Sequence, residues 1–186
     1  FKDASDFTFI FVGNVDVEKM KPVIAEYLGA LPAVNRKETF KDNKIEMRQG
    51  IYKNEFTKQQ ETPKASVFAF YNGDCKYDLR NNLLLSMTSQ ILDLVYTEKV
   101  REDEGGTYGV YVGGTLQKYP KEKAILQIIF DTAPEKKEKL MKIIFGEIDN
   151  ITKTGPSEAN LNKVKEYMLK KHTEDLKENK IGRAHV

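Results

Sequence analysis

Residues 100–110 read Val100-Arg101-Glu102-Asp103-Glu104-Gly105-Gly106-Thr107-Tyr108-Gly109-Val110, and the periodicity of the chain changes across them. Before them Leu84, Met87, Ile91 and Val95 form an apolar stripe at helical spacing, broadened by Leu83, Leu92 and Leu94, behind Asp78 as a helix cap. After them Tyr108–Leu116 and Ala124–Asp131 read as two strands joined by Gln117-Lys118-Tyr119-Pro120-Lys121. Reversing a chain from helix to strand in so few residues calls for positions that tolerate positive φ, which Gly105 and Gly106 supply. A second pair, Gly113-Gly114, weakens the first strand and predicts a bulge.

Working outward, Ala65-Ser66-Val67-Phe68-Ala69-Phe70-Tyr71 is a strand ended by Asn72-Gly73-Asp74. Beyond the hairpin, Pro134 opens a helix carrying Leu140, Met141, Ile144, Phe145, Ile148 and Ile151. Thr154-Gly155-Pro156 ends it, and Ser157 caps a last helix with Leu161, Val164 and Met168 inward. Strand, helix, two strands, two helices is the order of an α+β fold, an antiparallel sheet with helices packed on one face, and residues 65–180 are assigned to it. Nearer the start, Phe7-Thr8-Phe9-Ile10-Phe11-Val12 reads as a buried strand closed by Gly13-Asn14. A helix capped by Asp16 follows, with its regular part expected to begin near Pro22 and to stop at Gly29 and Pro32. Residues 34–64 lack periodicity and are read as a linker with a short edge strand around Ile51–Phe56. Residues 1–33 then form a strand–helix piece of a neighbouring domain, and 181–186 a tail.

Composition narrows the function classes. Thirty Lys and Arg against 28 Asp and Glu leave a net charge of +2, with the signs interleaved as in Lys136-Lys137-Glu138-Lys139, so no nucleic-acid surface is advertised. Cys75 is the single cysteine and stands beside Asp74, without the cationic neighbours that would make its thiol reactive. No apolar run approaches the roughly 20 residues that cross a bilayer, and Phe1-Lys2-Asp3-Ala4 has no signal-peptide organisation. The Lys-rich flavour is that of a bacterial protein, with the compartment open between periplasm and cytoplasm.

The usual hydrolytic machinery is missing. The two histidines, His172 and His185, have no partner at metal-ligand spacing, and neither HxxEH nor HExxH occurs, so this chain is read as binding no metal and no cofactor. No GxSxG elbow is present, and neither Gly105-Gly106 nor Gly113-Gly114 fits a phosphate loop. Taken singly, Arg101 complements the dipole at a helix C-terminus and Tyr108 is a packed aromatic at a strand start.

Taken together, Arg101 and Tyr108, seven residues apart across a helix–glycine–strand junction, resemble the Arg and Tyr pair of the pitrilysin/insulinase family of zinc peptidases. The strand and turn Phe9-Ile10-Phe11-Val12-Gly13-Asn14-Val15-Asp16, the helix end Tyr27-Leu28-Gly29-Ala30-Leu31-Pro32, and Gly155-Pro156-Ser157-Glu158 resemble that family in the same order. The likeness runs from about Phe7 to Asn179. It implies a clam shell of four related α+β domains, with zinc held by HxxEH in the first of them and this chain in the half opposite the metal.

What the resemblance implies for the site is specific. Arg101 would hold a substrate carbonyl or the developing oxyanion, and the Tyr108 hydroxyl would donate to that oxyanion during peptide hydrolysis. The implied partners are the other half of the peptidase and a peptide substrate, with zinc bound by another domain and no activity from this chain alone. The alternatives are a catalytically silent pitrilysin-like domain that scaffolds a complex, and an unrelated α+β binding module.

Overall fold

The computed structural model describes residues 2–37, 39, 41–104 and 109–178, with the backbone alone described for 101–104. Along the chain run α1 (Val17–Tyr27), β1 (Ala65–Asp74), α2 (Leu79–Glu104), β2 (Val110–Gln117), β3 (Lys123–Thr132), a 3-10 turn (Pro134–Lys136), α3 (Lys137–Thr154) and α4 (Glu158–Asp175). Two compact units emerge, Lys44–Tyr167 and a smaller one of Phe1–Asn43 with Met168–Val186.

In the larger unit the sheet order is β1-β3-β2, antiparallel throughout. β3 is central and the most apolar strand, and alternation sorts its residues. Ile128 and Phe130 are buried on one face, against Leu92, Tyr96 and Val100 of α2 and Leu140 and Ile144 of α3. Val67 and Ala69 of β1 and Val110 and Val112 of β2 pack against the same cluster. The buried Tyr96 hydroxyl donates to the Ile144 carbonyl at 3.0 Å, tying α2 to α3 without leaving a polar atom unsatisfied. Burial raises the Tyr96 hydroxyl well above its usual pKa, with Tyr71 and Glu147 adding to the effect. The expected α+β sheet with helices on one face is therefore the fold of this unit.

The helix limits follow local chemistry. Asp78 accepts from the Asn81 N–H at 2.8 Å, Ser157 from the Asn160 N–H at 3.2 Å and Asp16 from the Lys19 N–H at 3.2 Å, each satisfying a free amide at a helix start. Gly155, at φ 76°, closes α3 in a conformation that costs a side-chain-bearing residue dearly.

Four expectations need correction. β2 pairs with β3 residue for residue from Val110↔Phe130 to Gln117↔Lys123, so Gly113-Gly114 makes no bulge. Each glycine serves close packing on its own face: a Cβ at Gly114 would come within 2.6 Å of Ser89 Oγ and 2.7 Å of Leu85 Cγ on α2, and one at Gly113 within 2.6 Å of the Tyr111 hydroxyl. α1 begins at Val17, five residues before Pro22, because the Asp16 cap and the acidic Glu18 favour a helix start there strongly enough to absorb the hydrogen bond Pro22 cannot make. Neither Phe7–Val12 nor Ile51–Phe56 enters a sheet among the described residues. The α2 stripe is buried from Ile91 to Val100, whereas Leu83 and Leu84 are exposed. The helix face turned to the sheet runs through Leu85, Ser89, Leu92, Tyr96 and Val100, with Leu85 and Ser89 beside Gly114 of β2, and Leu83 and Leu84 lie off that face.

The segment before β1 has no regular structure, and its hold on the larger unit is ionic. Glu46 pairs with Lys121 and, at 3.6 Å, with Lys123, and Glu55 pairs with Lys137. Such exposed pairs are weak individually.

Candidate functional site

Arg101 lies in the last turn of α2, one residue past the buried Val100. β2 begins at Val110, directly paired with Phe130 of the central strand. α2 ends at Glu104 and β2 begins at Val110, and both flanks pack into the core cluster, through Tyr96 and Val100 on the helix side and Val110 on the strand side. Tyr108, with Gly105, Gly106 and Thr107, lies outside the described residues, and Arg101 is described by its backbone alone.

The opposite face of the sheet is covered by neither α2 nor α3. Phe68 and Phe70 of β1 and Tyr111 of β2 are exposed there, flanking Ile129 and Gln127 of β3. The missing side chain at Gly113 lets the Tyr111 ring lie over the sheet, with its hydroxyl 3.5 Å from Gln127 Nε2. The sequence reading did not single out these residues, although the alternation was its signal: Val110 and Val112 face inward, so Tyr111 faces out. At one end of that face Asp131 meets Lys64 at 2.7 Å and accepts from the Ser66 hydroxyl at 2.6 Å. The Lys64 contact, with Ser66 second, holds the Asp131 carboxyl below its usual pKa.

Among the described residues no group of three His, Cys, Asp or Glu side chains could hold an ion. His172 is exposed on α4, and Cys75 is half-buried, with its thiol 3.9 Å from the Lys76 carbonyl. The described residues offer zinc no set of ligands. No helix among the described residues is long and apolar enough to cross a membrane.

The chain matches the family of the peptidase M16 inactive domain over residues 1–168 and belongs to that family. Among its relatives is a "Zinc protease PQQL-like" protein of Arabidopsis thaliana, 22% identical over 96% of this chain and 20% of the relative. The periplasmic protease PqqL of Escherichia coli superposes with a TM-score of 0.67 at 21% identity, covering 86% of this chain and 18% of that one. A peptidase M16 inactive domain from Pseudomonas fluorescens superposes with a TM-score of 0.51 at 24% identity, over 60% of this chain and 27% of that one. The chain spans about a fifth of the length of PqqL and of its plant relative.

Proposed function

We propose that this chain is the portion of a zinc-dependent endopeptidase that binds no metal itself and contributes Arg101 and Tyr108 to peptide binding and to stabilising the oxyanion. The observation that carries the reading is the pair of flanks: Arg101 lies in the last turn of a helix anchored by Tyr96 and Val100, and Tyr108 stands two residues before a strand anchored at Val110, within a chain of the M16 inactive-domain family. The names of the Arabidopsis and Escherichia coli relatives, a zinc protease and a periplasmic protease, supply the reaction class. Zinc belongs to another part of the full-length protein, where it would activate water and polarise the scissile carbonyl. The residues of this chain then act by position and charge. Arg101, permanently cationic and forked, holds a substrate carbonyl, and the Tyr108 hydroxyl donates to the oxygen on which negative charge develops.

The test is reconstitution. Mixing this chain with the zinc-bearing half of the same protein should restore cleavage of a fluorogenic peptide, and Tyr108→Phe should lower kcat by on the order of 10²- to 10³-fold with an unchanged circular dichroism spectrum. Arg101→Ala should raise KM as well. Equal rescue by the wild-type chain and both variants would instead assign the domain a scaffolding role.

A further inference from the structure

The end of α2 that carries Arg101 is held to α3 by directional polar contacts as well as by packing. Tyr96 is fully buried, and its hydroxyl donates to the Ile144 carbonyl at 3.0 Å. Three residues further along each helix, Lys99 Nζ lies 3.9 Å from Glu147 Oε1. Tyr96 and Val100 are one turn apart, so they share a face of α2, and both enter the core cluster. Arg101 follows Val100 and stands roughly 7.5 Å of helix rise beyond the Tyr96 tie.

Packing alone would leave this end of α2 some freedom. Contact between apolar side chains is non-directional, and it fixes a helix only where the neighbours interlock. Between α2 and α3 the interlock is incomplete: a cleft of about 240 Å³ opens beside Ile91, Val95 and Lys99 on one helix and Glu147 and Ile151 on the other. A helix beside such a cleft can roll or slide slightly with little loss of buried area. A hydrogen bond resists that slide, because it weakens steeply as its length and angle leave the optimum.

Burial does not call for the hydroxyl. The Ile144 carbonyl lies inside α3, where the helix supplies its own N–H four residues on, so Tyr96 is a second donor to that oxygen. A phenylalanine at this position would fill the same space and leave no acceptor unpaired. What the tyrosine adds is a fixed register of α2 against α3.

We infer, on the role proposed above for Arg101, that Tyr96 is a positioning residue for peptide hydrolysis: its bond to α3 sets the height and rotation at which α2 presents Arg101. Such placement is exacting, since a displacement of about 1 Å at a substrate-holding group can cost on the order of 10²-fold in rate.

A double-mutant cycle and hydrogen exchange test this together. In the full-length protein Tyr96→Phe should lower kcat/KM for a fluorogenic peptide by on the order of 10-fold, with an unchanged circular dichroism spectrum. In an Arg101→Ala background the same substitution should act by less than about twofold, because no guanidinium is left to misplace. Equal losses in the two backgrounds make Tyr96 a purely structural residue and overturn the inference. Exchange reads the placement without catalysis. In the 186-residue chain Tyr96→Phe should speed exchange of the Val100–Glu104 amides by about 5- to 10-fold relative to those of β3, which report on opening of the whole unit. Unchanged relative rates overturn the inference whatever Arg101 does. Full activity of Arg101→Ala would take that residue out of the reaction and the inference with it, even with faster exchange at the end of α2, so failure of the tie and failure of the site remain distinct results.

Discussion

Ala65–Tyr71 and Phe7–Val12 are close in composition, both short runs of aromatic, β-branched and small residues, and each is followed by an Asn–Gly or Gly–Asn pair, which in the first case continues the strand to Asp74. The first forms β1, paired with β3 from Ala65↔Thr132 to Asp74↔Lys123. The second forms no ladder among the described residues. Intrinsic β propensity therefore does not separate them. What separates them is that β3 offers β1 a paired edge and a helix-covered face, whereas among the described residues 8–12 pair with no strand. Strand propensity measures fit to a pleated, half-buried surface, and where that surface is missing the same residues remain extended and wet.

The sharpest way to break the comparison is to delete one aromatic ring from each segment's environment. Phe130 is 2% exposed in the central strand, between Val67 and Val110, and Phe130→Ala should cost about 3–5 kcal/mol, enough to unfold much of the larger unit. Phe11→Ala in the 186-residue chain should change stability by no more than about 0.5 kcal/mol, because that ring is already in water. Urea denaturation of the two variants reads both. Comparable losses would mean that Phe11 is packed in solution, and the contrast between the two strands would be gone.

A finer version contrasts the two faces of the sheet at neighbouring residues. Gly114→Ala places a methyl group 2.6 Å from Ser89 Oγ and 2.7 Å from Leu85 Cγ, side chains held between α2 and β2, and should cost about 1–3 kcal/mol. Gly113→Ala meets the ends of Tyr111 and Gln127 on the uncovered face, which can swing aside, and should stay within about 0.5 kcal/mol of wild type. If Gly113→Ala proved as damaging as Gly114→Ala in thermal denaturation, that face would have to be covered in solution.

The sequence disclosed most of what the larger unit builds for itself. The caps at Asp78 and Ser157, the Gly155 stop, the hairpin and the inward alternation of β3 are local signals, each set within a few residues. It misled where the outcome depends on distant chain. The apolar run at Phe7–Val12 and the pattern around Ile51–Phe56 promise strands without saying what they pair with, and Leu83 and Leu84 promise burial on a side of α2 that the sheet does not meet. The Gly113-Gly114 pair showed weakness in the strand but not that α2 approaches at one glycine and Tyr111 folds over the other. Of the candidate site, the junction between Glu104 and Val110 was legible from the change of period. The roles proposed for Arg101 and Tyr108 rest on the family resemblance, because an arginine and a tyrosine seven residues apart have no chemistry that spacing can declare.

Two carboxylates sharpen the contrast between the units by a smaller effect. Asp131 in the larger unit is held below its usual pKa first by Lys64, then by Ser66. Asp3 in the smaller unit is lowered further, first by the Ser5 hydroxyl, then by the Val34 amide, against the opposing effect of burial. A lowered folded-state pKa means that each group contributes stability fully present above the unfolded value of about 3.9 and lost as pH falls below it, through the folded value. Acid should therefore loosen both units. Salt should distinguish them, because the Lys64–Asp131 pair is half exposed and open to screening, whereas the amides on Asp3 are short-range donors that ions do not displace. Carboxyl carbon NMR titrations at low and at molar salt should show the Asp131 midpoint moving up towards the ordinary range while that of Asp3 stays low. Equal movement of the two would mean that Asp3 is held by charge instead of by hydrogen bonds, and that the smaller unit lacks the polar clamp at its base.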